Sequence, residues 1–210
     1  MKKFELTSEF TLSILGVKLF RIKAIIQFSN IDAGELGGYI EKEENLNQEG
    51  DAWVSGDAWV YGDARVSGDA WVYGDAQVYG DAQVYGDAQV SGDAQVYGDA
   101  RVFGSAQVSG DVQVYGDAQV YGDARVKKST HLFQLGALGS RNGFTTFFRV
   151  KTNKIHVVCG CFLGSIDEFE KAVAETHAGT KHEKTYLLAI ELAKLQIELD
   201  EIEGEEPAEE

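Results

Sequence analysis

The sequence predicts a mainly β protein. A parallel β-helix over residues 50–126 follows an N-terminal β cap, residues 1–49, and precedes an α+β module, residues 127–202, made of a hairpin and two helices. Three observations predict this. From Gly50 to Gly122 a glycine stands at every sixth position without a slip. Within each unit, Gly-Asp-Ala-x-Val-x, fixed apolar and variable positions alternate with period two, as in a strand with one buried face. Non-repeat segments flank the repeats on both sides, and the open ends of a β-helix need such covers.

The repeat justifies the coil. Six residues are too few for a hairpin plus loop and fit a short strand plus a corner. Gly supplies the positive φ of the corner, and the Asp side chain can hydrogen-bond corner amides. Ser105 alone replaces the Asp and Val112 alone the Ala. Three strands per coil make an eighteen-residue turn, so the thirteen units give a little over four coils. At about 4.8 Å per stacked strand the stack is roughly 20 Å high. Ala and Val fill a narrow triangular interior. Stacking sorts outward residues into columns: Tyr61, Tyr79, Tyr97 and Tyr115; Ser67, Tyr85, Phe103 and Tyr121; Ser55, Tyr73, Ser91 and Ser109. Before each Val lie further columns that begin at Trp53, Trp59 and Arg65. They form either an aromatic surface for a ligand or partner, or ladders that stabilise stacked coils.

The repeat resembles the hexapeptide-repeat family, whose parallel β-helix is left-handed. Handedness here is what that resemblance implies, since parallel crossovers otherwise favour the right hand. Upstream, Val17 to Phe28 reads as a strand or two, followed by Gly34-Glu35-Leu36-Gly37-Gly38-Tyr39-Ile40-Glu41 and Glu44-Asn45-Leu46. This lead-in and the repeats resemble a group of uncharacterised bacterial and phage hexapeptide-repeat proteins often labelled transferases.

After Val126 the register breaks at Lys127-Lys128. Phe144 to Val150 and Ile155 to Cys159 predict a hairpin with Thr152-Asn153 at its turn. Ser165-Ile166-Asp167-Glu168 is a capping box that opens a helix with apolar face Ile166, Phe169 and Val173, ended by Gly179. A second helix is predicted from Lys181 to Ile202. One of its stripes is Tyr186, Ile190, Ala193 and Ile197; nearly opposite run Leu188, Leu192, Leu195, Leu199 and Ile202. A helix apolar on two sides is usually buried on two sides. Leu188, Leu192, Leu195 and Leu199 are therefore expected to form a homo-oligomer interface, in a trimer by analogy with hexapeptide-repeat proteins or in a dimer. Residues 203–210 read as a solvated acidic tail.

The net charge is −15. The repeats carry twelve Asp against three Arg, whereas residues 127–195 carry ten basic against six acidic side chains. Most of the surface would repel phosphates, so no nucleic-acid partner is expected, and only residues 127–195 favour an anion. No apolar signal core develops near the start, and Leu19 to Phe28 is too short and too charged to span a bilayer. A cytoplasmic protein without a membrane partner is expected. Cys159 and Cys161, two apart on a predicted strand, would share a face and remain thiols.

Many hexapeptide-repeat proteins are acyltransferases and some are zinc carbonic anhydrases, with histidines in or looped out from the coils. Residues 50–126 contain no His, Cys or Glu and no inserted loop, so the coil lacks the side chains such chemistry uses. All four His (131, 156, 177 and 182) and both Cys lie in the C-terminal module. A zinc site from Cys159, Cys161 and two of these His, a Cys161–His177 nucleophile pair, and calcium along the Asp rows are the chemical options. Against them stand a packed His, a buried thiol and solvated turn carboxylates. No metal, cofactor or catalytic residue is predicted. Gly139-Ser140-Arg141 and Thr145-Thr146, in the only basic segment, suit an anionic group, because an Arg fork can hold two oxygens at once. Ser140, Arg141, Thr145, Cys161 and His177 are the predicted ligand-binding residues; the alternative is a loop whose Arg is merely solvated. The stretch from Gly139 to His177 resembles a C-terminal module of phage and prophage proteins. Together these readings lead to a non-enzymatic, oligomeric, phage-encoded binding protein of the host cytoplasm that holds a small anionic ligand, such as a nucleotide-type immune signal. The alternatives are an acyl- or nucleotidyl-type transferase using the C-terminal Cys and His residues, and a purely structural assembly protein.

Overall fold

A computed structural model describes residues 2–139 and 141–200. The chain opens with β1 (Phe4–Leu12), β2 (Lys18–Ala24) and β3 (Leu36–Ile40), and passes through thirteen two-residue strands, β4 (Trp53–Val54) to β16 (Arg125–Val126). It ends in β17 (Leu132–Leu138), β18 (Gly143–Arg149), β19 (Ile155–Cys159), β20 (Phe162–Ser165), α1 (Ile166–His177) and α2 (Lys181–Gln196). None of the helices described is long and apolar enough to cross a membrane.

The repeats form a parallel β-solenoid with the predicted register. Trp59 pairs with Gln77, Gln77 with Gln95 and Gln95 with Gln113, in parallel and eighteen residues apart. Every repeat Val and every Ala, or Val112 in its place, is at most 1% exposed. The corner glycines lie between φ +60° and +74°. They also stack backbone on backbone: a Cβ on Gly98 would sit 3.0 Å from the amide nitrogen of Gly116. The coil therefore needs Gly twice over, for conformation and for space.

The solenoid begins before the repeats. Tyr39 pairs in parallel with Trp59, and Leu46 with Val66, each twenty residues on, so β3 and the Asn45–Leu46 segment supply most of a first coil. β1 and β2 extend that sheet in antiparallel fashion to seven strands. Side chains then stand in for a missing rung. The wholly buried Asn45 donates to the carbonyls of Gly62 (3.0 Å) and Ala64 (2.9 Å) and accepts from the Lys42 amide (2.9 Å). Lys3 donates to the carbonyls of Gly50 and Ala52. Burial pushes its ammonium down to about 8, with Asp51 and Asp69 pulling the other way.

The far end is closed likewise. The Gln134 amide donates to the Gln113 carbonyl (2.8 Å) and accepts from the Tyr115 amide (3.1 Å); Thr146 accepts from the Gln119 amide (3.2 Å); and Val150 bridges Ala124. These groups belong to an antiparallel meander, β17-β18-β19-β20, where a hairpin alone was predicted. Its central strands are apolar on both faces because both are covered. Phe148, Val150 and Val158 close the solenoid core, while Phe147, Ile155 and Val157 pack under α1 and α2.

The capping box at Ser165 is present, with Oγ accepting from the Glu168 amide and the Glu168 carboxylate accepting from the Ser165 amide. The second helix, predicted to Ile202, ends at Gln196 instead. The chain then continues beside the sheet: Glu198 donates its amide to the Thr130 carbonyl, and Asp200 accepts from both terminal guanidinium nitrogens of the buried Arg149. Those contacts outweigh one more helical turn. Ile202 lies outside the described residues. Tyr186, Ala189, Ile190, Ala193 and Ile197 are the buried stripe, whereas Leu188, Leu192, Leu195 and Leu199 stay 43–85% exposed.

Candidate functional site

At one end of the C-terminal module the β17–β18 turn, the β19–β20 turn and the second half of α1 surround a cavity of about 460 Å³. Local backbone chemistry opens it there. Gly160, at φ +58°, reverses the chain between Cys159 and Phe162, and Gly139 and Asn142 take positive φ in the other turn. A Cβ on Gly139 would fall onto the Tyr186 hydroxyl, so only glycine lets this turn close against α2.

Four rings form the wall: Phe144, Phe162, Phe169 and Tyr186. Phe162 and Phe169 have centroids 4.9 Å apart, and Phe169 meets Tyr186 nearly edge-on at 5.5 Å. His177, half-buried in the last turn of α1, lies 5.4 Å from the Tyr186 ring. Arg141 stands exposed at the rim and makes no ion pair among the described residues. Behind the wall runs a short polar relay. Wholly buried Thr145 donates to the Cys159 thiol (3.1 Å), whose sulfur is also hydrogen-bonded to the Tyr186 hydroxyl (3.7 Å). Burial, followed by the neighbouring Cys159, pushes the Tyr186 phenol up to about 12 against the opposing pull of Arg141. The phenol is therefore a neutral donor near pH 7.

Of the five predicted ligand residues, Arg141, Cys161 and His177 meet at this cavity. Thr145 does not line it. Its hydroxyl is spent on Cys159, across the pairing of β18 with β19. Ser140 lies outside the described residues. Cys159 and Cys161 do not share a strand face: β19 ends at Cys159, and the reversal at Gly160 puts Cys161, exposed, in the turn. Both are free thiols. Among the described residues no three His, Cys, Asp or Glu side chains gather as a metal site would require. His131 sits elsewhere, at the solenoid exit, accepting from the Lys127 amide and facing Arg149.

Sequence reasoning missed the wall. Phe169 and Tyr186 sit on helix stripes whose period marks a buried face, and core and cavity wall share that signal. The only usable hint was Phe144 and Phe162, each close behind a glycine-bearing turn.

The other aromatic surface is mostly structural. Tyr61, Tyr79, Tyr97 and Tyr115 stack at 5.0–5.8 Å and end edge-on against Phe144; the second column, through Tyr85 and Phe103 to Tyr121, ends against Phe148. Trp53 is wholly buried beneath the N-terminal cap, 5.3 Å from Phe28. It is no part of a ligand surface.

No curated protein matches the sequence. Residues 58–74, 76–92, 94–110 and 118–132, in the coil and its exit, match the YdcK β-solenoid repeat family.

Proposed function

We propose that this is a non-enzymatic, oligomeric binding protein whose C-terminal module holds a small anionic ligand in the cavity beside Arg141. The carrying observation is convergence. Arg141, Cys161 and His177 come from three separate elements and meet at one concave, largely aromatic site in the only basic segment of an acidic chain. The solenoid acts as a rigid spacer, and the exposed leucine stripe of α2 joins subunits, as a trimer or a dimer. A phage-encoded setting, with the ligand a nucleotide-type immune signal sequestered in the host cytoplasm, is supported by the resemblance of the lead-in and C-terminal module alone.

Native mass spectrometry of the full chain purified from its host reads oligomer size and any retained small molecule together. Titration calorimetry with that molecule should show Arg141→Ala weakened about ten- to hundredfold, the scale of a charged hydrogen bond. Unchanged affinity would remove the site from this cavity. One observation favours a second reading, transfer chemistry: the exposed Cys161 thiol and His177 line the same cavity. Turnover abolished by Cys161→Ala or His177→Ala would establish it; stoichiometric binding without product would exclude it.

A further inference from the structure

On a strand with one covered face the outward positions should be polar. The β1–β2 hairpin breaks that rule. Leu19 is wholly buried on one face, whereas Phe10 and Leu12, on the other, are 49% and 57% exposed. The turn beyond them carries Ile14 and Leu15, 93% and 79% exposed. Phe10 pairs with Phe20, and Phe20 with Ile40, the last residue of β3, so the hairpin from Thr11 to Leu19 runs on past its neighbouring strand.

The turn is fastened in that shape. The Ser13 amide donates to the Val17 carbonyl (2.9 Å), the Gly16 amide donates to the Ser13 carbonyl (2.9 Å), and the Ser13 hydroxyl accepts from the Val17 amide (3.1 Å). Two aliphatic side chains are thereby presented together at a vertex, with little backbone entropy left to lose on docking. Just behind them the Lys18 ammonium lies 3.9 Å from the Phe10 ring centroid and 4.8 Å from that of Phe20. It makes no ion pair among the described residues. From Phe10 to Ile31 this acidic chain has no Asp or Glu, against Lys18, Arg21 and Lys23, and the preceding Glu9 is matched by Arg21 at 3.0 Å.

We infer that this tip docks the protein on a lipid bilayer that carries anionic headgroups. Ile14 and Leu15 enter the boundary between headgroups and acyl chains, and Lys18 meets a phosphate. Apolar at the vertex and cationic just behind it is the order of hydrocarbon and phosphate in a leaflet, and such insertion needs no spanning segment. A second copy of the chain fits less well. Phe10, Leu12, Ile14 and Leu15 fall short of the ~800 Å² that each partner of a stable interface buries, and a bulge between Leu6 and Phe10 interrupts β1, the edge strand, against strand addition. The acidic coil is repelled by such a surface, but salt screens that repulsion over ~8 Å, and Ile14 stands roughly 10 Å past the Phe10–Phe20 pair. The tip belongs to the N-terminal cap, across the coil from the cavity, and its docking does not rest on how the cavity is read.

Co-sedimentation of the full-length protein with vesicles tests this. With equal parts phosphatidylcholine and phosphatidylglycerol, half of the protein should pellet at about 0.1–1 mM lipid, the range in which a single short apolar anchor acts. Ile14→Ser with Leu15→Ser should weaken this at least about tenfold, the loss of one buried aliphatic side chain or more. Both side chains are exposed, so the melting temperature of that variant should stay unchanged. Lys18→Gln should weaken binding to these vesicles about fivefold, one basic side chain near an anionic surface, and leave binding to pure phosphatidylcholine unaltered. Absence of the unaltered protein from the pellet, or equal pelleting of the Ile14 and Leu15 variant, would overturn the inference. An equal effect of Lys18→Gln on both kinds of vesicle would overturn the choice of anionic headgroups. If the Ile14 and Leu15 variant instead lowers the oligomer mass in light scattering without vesicles, the tip belongs to a second copy and the lipid assignment falls.

Discussion

Asn45→Asp should unfasten the N-terminal end of the solenoid while leaving shape and volume untouched. Asn45 is wholly buried and ends the parallel rungs on one side: its amide NH₂ donates to the carbonyls of Gly62 and Ala64, and its oxygen accepts from the Lys42 amide. A carboxylate keeps the last of these and turns the other two into oxygen facing oxygen. Each buried carbonyl left without a donor costs about 1–3 kcal/mol, so the pair amounts to about 2–6 kcal/mol near neutral pH, before any charge burial. Protonation restores one donor. The carboxyl is therefore raised above its unfolded value, the folded state binds the extra proton, and the penalty should shrink between about pH 7.5 and about pH 5. Because a solenoid unravels by neighbours, the loss should appear first at that end. All three tryptophans, Trp53, Trp59 and Trp71, lie in the first repeat coils, so their fluorescence reports the end directly. Urea unfolding followed by tryptophan emission should shift to lower denaturant, with ellipticity lagging behind it. A loss below about 1 kcal/mol at neutral pH would refute the idea that a side chain replaces a rung there.

Gly98→Ala, at φ +71° and with a Cβ 3.0 Å from the Gly116 nitrogen, should cost at least about 1–2 kcal/mol in thermal unfolding, against less than about 0.5 kcal/mol for the neighbouring corner change Asp99→Ala. His131 has its imidazole held below the ordinary 6.5, first by burial and then by Arg149, so the unfolded chain takes up the proton first. Its contribution is complete above pH 6.5 and is lost as pH falls below it; denaturation midpoints across that window should show the slope, and His131→Asn should flatten it. Leu192→Glu with Leu195→Glu changes residues 51% and 85% exposed, so it should leave the melting temperature of the chain's own fold nearly unchanged while converting the oligomer to monomer in light scattering. A monomeric unaltered protein at micromolar concentration would end that expectation.

The residues that the sequence placed well are those whose environment repeats. A Val or Ala of one unit meets the same residue eighteen positions away, so the six-residue period alone sets strand, corner and buried face. The turn at Asn153, in positive φ, and the capping box at Ser165 were equally legible, because a few neighbouring residues complete each device. Three residues that line the cavity were singled out for a related reason: Arg141, Cys161 and His177 are unusual side chains in a segment of distinctive charge.

What only the tertiary structure decided depends on contacts between residues far apart in sequence. Asn45 and Gln134 carry no period that marks them as substitute rungs; their partners, at Gly62 and Gln113, are set by how each end folds back on the coil. Trp53 and Trp71 hold equivalent repeat positions and differ in burial, because Phe4 and Phe28 of the cap pack on Trp53, which is wholly buried, while Trp71 is only partly so. In α2 two apolar stripes compete for one sheet. The stripe with Ala189 and Ala193 lies against it, and small side chains let a helix approach closely, while Leu188, Leu192 and Leu195 are left outward. That same packing brings Tyr186 over Cys159 and leaves Thr145 behind it, so a residue read as core lines the cavity and one read as a ligand contact does not.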